Sequence, residues 1–133
     1  MAAYADIVEI TAPSTASAGD RVDITVKIKN TYSSVISIMV GGALEYGVSP
    51  WPQITYPDDR VNVNAGVTHI FSGYFTMPYY PPGKVITIHA YSFYYGVDGT
   101  WHLDDEMLKT VTTIAPSQEP IFSGFAVSSF IKA

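Results

Sequence analysis

The chain has 133 residues, a net charge of −5 and no cysteine, so it is one domain's worth of protein without disulfides or thiolate metal sites. Hydrophobic residues make up 47% and charged residues only 14%, against about a quarter charged in an average domain. A surface so poor in charge is common where neighbours cover much of it. The acidic balance and the lack of any Lys/Arg cluster exclude nucleic acid as a partner. No stretch approaches the roughly 18 apolar residues of a membrane-spanning helix.

In chain order, the opening MAAYADIVEI has no basic region and no long apolar run. The expectation is therefore synthesis in the cytosol without a signal peptide. A first strand is predicted over Tyr4 to Ile10, followed by small turn-forming residues from Thr11 to Gly19. Asp20 to Asn30 is the clearest strand. Val22, Ile24, Val26 and Ile28 alternate with Asp23, Thr25, Lys27 and Lys29, so one face meets the core and the other meets water. Asn30 to Ser34 reads as a turn. Val35 to Val40 reads as an apolar strand that Gly41-Gly42 ends or bulges.

Ala43 to Pro57 is irregular, with three prolines that forbid a central strand. Asp58-Asp59-Arg60 is a polar turn, and Val61 with Val63 marks a short strand. Val67 to Met77 is a strand broken at Gly73. Pro78 to Gly83 is an extended connector. Lys84 to Tyr95, apolar on both sides, is expected to be a central strand. Val97-Asp98-Gly99 turns the chain. Trp101 to Leu103 begins the return, Asp104-Asp105-Glu106 interrupts it, and Met107 to Ile114 completes it. About seven strands at turn-to-turn spacing, and no helix, predict an all-β sandwich or barrel.

Two stretches carry a resemblance. APSTASAGDRVDITVKIKNT (12–31) places a Pro and a Gly-Asp before an alternating strand that ends in Asn and a small polar residue. Phe75-Thr-Met-Pro78, an alternating strand and Tyr94-Tyr-Gly-Val-Asp-Gly-Thr-Trp101 follow in the second half. Over residues 4 to 115 the chain resembles CARDB-type domains and related immunoglobulin-like adhesion modules. The resemblance implies a seven-stranded antiparallel sandwich used for adhesion, display or assembly. It supplies no catalytic residue. The domain is expected to occupy 1–115 and a C-terminal arm 116–133.

Asp98, Asp104 and Asp105, in the densest acidic stretch, are weak Ca²⁺ candidates, because hard cations take carboxylate oxygens. Their spacing fits no EF-hand, and a solvated turn explains them equally well, so neither a metal nor another cofactor is expected. The three histidines lack zinc-site spacing. His89, alternating with Thr87 and Tyr91, reads as a satisfied sheet histidine. No nucleophile–base motif occurs, and the expected function is non-catalytic.

The aromatics Tyr46, Trp51 and Tyr56 share one irregular segment. Tyr79 and Tyr80 sit in the connector, and Trp101 follows the last turn. They can cap the core, anchor a protein interface or stack on sugar rings. Beyond the linker 116–120, the segment 121–131 is apolar and uncharged. Ile121, Phe122, Phe125, Val127, Phe130 and Ile131 read either as an arm that adds to a neighbour or as an edge strand folded back on its own sheet. Together these features point to a structural subunit, homo-oligomeric or contacting other capsid or assembly subunits. The setting they imply is a virion or another extracellular assembly, where the chain acts as a decoration or capsid-associated protein. The alternative is a carbohydrate-binding or adhesion module that uses the loop aromatics on a glycan.

Overall fold

The computed structural model describes residues 3–115. The arm expected at 121–131 lies outside the described residues. Eight strands follow in order: β1 (Ala5–Thr11), β2 (Thr15–Ser17), β3 (Arg21–Asn30), β4 (Ile36–Glu45), β5 (Arg60–Val63), β6 (Thr68–Thr76), β7 (Val85–Tyr95) and β8 (Trp101–Ile114). They form a three-stranded sheet in the order β1-β3-β6 and a five-stranded sheet in the order β2-β8-β7-β4-β5. All pairs are antiparallel except β2 with β8.

The alternation in β3 has its expected consequence. Val22, Ile24, Val26 and Ile28 are buried against the opposite sheet, each worth about 2 kcal/mol of burial. From the other side come Ile38, Val40, Leu44, Ile86, Ile88 and Val111. The buried Asn30 ends β3 because its amide is consumed: Nδ2 donates to Ser34 O and Val63 O at 2.8 Å each, and Oδ1 accepts from Tyr32 N at 2.8 Å. One side chain thus closes the β3–β4 turn and ties it to β5 in the other sheet.

Four expectations need correction. The stretch Thr11 to Gly19 contains a strand, β2, whose three residues pair with Thr112–Ile114. β4 runs straight through Gly41-Gly42, and β6 runs through Gly73. The last strand is continuous over 14 residues, with one bulge. Ser92 faces Asp105 and Phe93 faces Leu103, so Asp104 is the extra residue.

The glycines act by omission of a side chain. A Cβ on Gly73 would stand 2.5 Å from the Tyr56 ring and 3.1 Å from Thr55 O; one on Gly42 would stand 2.7 Å from His89 O and 3.1 Å from the Tyr56 hydroxyl. Tyr56 therefore lies between the sheets, its ring over Gly73 of one and its hydroxyl at Gly42 of the other. It is only 8% exposed, and it belongs to the core rather than to a surface of loop aromatics.

Candidate interaction surface

The outward residues of the five-stranded sheet follow from its register. β7 turns Ile86, Ile88 and Ala90 inward, so His89, Tyr91, Phe93 and Tyr95 face out. Across the sheet they form rows: Ala43–His89–Leu108, Gly41–Tyr91–Glu106, Met39–Phe93–Leu103 and Tyr95–Trp101. Leu103 and Leu108 are 62% and 56% exposed. Gly41 leaves the room that Phe93 uses, since a Cβ there would meet its ring at 3.3 Å. Beside it lies a shallow cleft of about 260 Å³ bordered by Gln53, Tyr91 and Phe93.

At one end of this face Trp51 stacks on His89, with ring centroids 4.6 Å apart. His89 is 8% exposed and bonds through both ring nitrogens, Nδ1 to Glu106 Oε2 at 2.8 Å and Nε2 to Glu45 Oε1 at 2.7 Å. A neutral imidazole donates from only one nitrogen, so two carboxylate partners favour the imidazolium. Burial opposes that charge, but the bonds and charges of Glu106 and Glu45 outweigh it, and the His89 pKa is raised. The cluster joins β4, β7, β8 and the loop that carries Trp51. At the far end Trp101 meets Tyr95 edge-on at 5.2 Å, under the Arg60 guanidinium at 5.7 Å. His89 and Tyr95, at the two ends, are six positions apart on β7, roughly 20 Å of strand.

The six expected aromatics thus go to different places. Trp51 and Trp101 lie on this face. Tyr46 and Tyr80 meet edge-on at 5.6 Å and pack against the core. Tyr79 is 82% exposed, with its hydroxyl over Gly19. Tyr56 is internal. The face itself is built by Tyr95 together with Phe93, Leu103 and Leu108, the last three of which sequence reasoning passed over. Its signal was the apolar character of β7 on both sides, read there only as a mark of centrality.

The acidic candidates do not converge on a cation. Asp104 accepts from the backbone N–H of Tyr4 at 2.9 Å and Ala5 at 2.6 Å, and Asp105 accepts from Ile7 N at 2.9 Å. The bulge in β8 aims both carboxylates at the open edge of β1. Asp98 pairs instead with His102 Nε2 at 2.9 Å. That bond, against a smaller opposing effect of burial, holds its carboxyl below the usual range. Among the described residues, no group of three or more His, Asp or Glu side chains is arranged to hold a metal ion.

No family model matches the chain, and no curated protein matches it. Solved structures do. The CARDB domain of the PF1109 protein from Pyrococcus furiosus, solved in complex with di-metal ions, superposes with a TM-score of 0.61 at 13% identity, over 85% of this chain and 96% of that one. The fold is that of a CARDB-type, immunoglobulin-like domain. Alpha-2-macroglobulin of Escherichia coli, from domain MG7 to the C-terminus, matches with a TM-score of 0.59 at 18% identity, over 84% of this chain. The sporulation control protein Spo0M of Bacillus subtilis matches with 0.56 at 17%, over 85% of this chain. This CARDB-like chain spans 17% and 50% of the lengths of those two proteins.

Proposed function

We propose that this CARDB-like domain is a non-catalytic assembly module that docks a neighbouring subunit on the outer face of its five-stranded sheet. The observation that carries the reading is the set of outward Phe93, Tyr95, Trp101, Leu103 and Leu108, interrupted on β8 at Glu106, with Trp51 at its end. Large aromatic and aliphatic side chains gathered on one solvent-facing sheet are the composition of an interface core. The low charge of the whole chain supports the same reading. The neighbour is taken to be another copy or another subunit of one particle. A virion decoration or capsid-associated role is the setting its composition favours, with 121–131 as a second point of attachment.

The test is the mass of the full chain in solution, compared with a chain lacking 116–133 and with the double variant Leu103→Lys, Leu108→Lys. Assembly through the face predicts an oligomer that the double variant dissociates, with its circular dichroism unchanged. A full-length monomer at every concentration overturns the reading. A glycan platform is the second reading, favoured by the partly exposed Trp51 at the end of the face and by the shallow cleft at Tyr91 and Phe93. It predicts a shift of tryptophan fluorescence on glycan addition, lost in Trp51→Ala.

A further inference from the structure

A second aromatic cluster sits at the end of the sandwich where β1 begins and the β7–β8 hairpin turns. Tyr4 is its centre. The Tyr32 ring meets Tyr4 edge-on at 5.0 Å and 68°, and the Tyr94 ring meets it at 4.4 Å and 50°. Tyr94 in turn stacks on His102 at 5.2 Å and 25°. The rings therefore form walls set at steep angles, bordering a cleft of about 260 Å³ that Tyr95 and Asp98 complete. Gly96 makes the floor: a Cβ there would stand 2.7 Å from the Asp98 carboxylate and 2.8 Å from the His102 ring. Asp98 is fixed from two sides, accepting from Thr100 N at 3.2 Å and pairing with His102.

Apart from the His102 imidazole paired with Asp98, the lining presents negative charge density. Aromatic faces present negative charge density, and four of the lining rings are phenols. The cleft lining contains the Asp98 carboxylate and no lysine or arginine. Burial, and then the acidic neighbours Tyr4, Asp104 and Asp98, hold the Tyr94 phenol above its ordinary value. Of the cleft residues only Tyr95 also belongs to the apolar face of the five-stranded sheet, which lies around the corner on the outward rows.

We propose that the Tyr4–Tyr32–Tyr94–Asp98 cleft is a binding site for an alkylated ammonium group. Such a cation has a greasy shell that suits the tyrosine walls and a charge that suits their faces and the carboxylate. A neutral group of the same shape gains only the first. The site shares only Tyr95 with the proposed docking face, and Tyr4, Tyr32, Tyr94 and Asp98 lie outside that face, so either proposal can fail without the other.

Titration of the full chain with choline, followed by the ring signals of Tyr4 and Tyr94 in NMR, tests it. Its neutral isostere 3,3-dimethyl-1-butanol is the control, and a short peptide carrying trimethyllysine is the second ligand. The expected result is binding of choline or the peptide at least about tenfold tighter than the isostere. The tighter of the two cations shows whether the group arrives on a small molecule or a protein side chain. Asp98→Asn, which keeps the oxygen that accepts from Thr100, is expected to weaken the cation about tenfold and to leave the isostere alone. Tyr94→Leu removes a wall and is expected to abolish the difference. Equal binding of cation and isostere, or ring signals unmoved by both cations at their highest soluble concentrations, overturns the proposal.

Discussion

The two sheets of this sandwich turn very different faces to the outside. On the three-stranded sheet the outward rows are Lys29 with Asp6 and Thr68, Lys27 with Glu9 and Ile70, and Thr25 with Thr11 and Ser72. Lys27 and Glu9 pair at 3.0 Å with both side chains well solvated, and Arg21 lies 3.9 Å over the Tyr74 ring. On the five-stranded sheet the corresponding rows hold Phe93, Tyr91, Leu103, Leu108 and Trp101. One core is shared, and the inward alternation is equally regular on both sides. The difference is one of distribution: charge is spread along the outward rows of the three-stranded sheet, whereas on the five-stranded sheet it is gathered in the His89–Glu45–Glu106 cluster and at Arg60, with apolar side chains between.

The largest effect is expected where the two sheets meet. Gly73→Ala drives a methyl into the Tyr56 ring and is expected to cost about 3 kcal/mol, read from the urea midpoint. A smaller loss would mean that Tyr56 can leave its slot without cost to either sheet. Asp104→Asn removes a charged acceptor from the N–H groups of Tyr4 and Ala5. It should cost about 2 kcal/mol, with faster amide exchange confined to the start of β1.

Tyr56→Phe should act in the opposite direction. The buried hydroxyl has no hydrogen-bond partner among the described residues, and burial pushes its pKa up, so its removal is expected to raise stability by about 1 kcal/mol. The faces themselves are compared by matched single changes. Leu103→Lys and Ile70→Lys, at 62% and 54% exposure, should each shift monomer stability by less than about 0.5 kcal/mol. Only the first should change the oligomer mass, and equal behaviour of the two would erase the contrast.

The smallest expected effect is the pH response of His89. Its folded pKa is raised, so its contribution is complete below the unfolded value of about 6.5 and is lost as pH rises through the folded value. Urea midpoints across that window should fall for the wild-type chain and flatten in Glu45→Gln, Glu106→Gln. An unchanged slope in the double variant would remove the imidazolium from the account.

The three-stranded side was the legible one, because contrast along a strand is what period-two reading detects. β3 stood out through Lys27 and Lys29 as much as through Val26 and Ile28. The other side lacks that contrast. β7, apolar on both faces, revealed its central place but not what its outward residues do. Gly41, Gly42 and Gly73 read as punctuation because a glycine's neighbour in space, here Phe93 or Tyr56, is invisible in sequence. Asp104 and Asp105 read as a break for the same reason: their partners are backbone groups about a hundred residues away. The His89 cluster needed the register of three strands, and β2 is too short and too small in its side chains to show any period.

The bulge at Asp104 has a consequence for how copies of this protein can meet. An open strand edge is a template on which further strands, native or misfolded, can grow without limit. Along β1 that template is already taken, since the donors of Tyr4, Ala5 and Ile7 point at two fixed carboxylates. A strand arriving at the start of β1 would have to displace two anions from those N–H groups. Backbone zippering is opposed at that end of β1, where the edge is closed by the protein's own side chains.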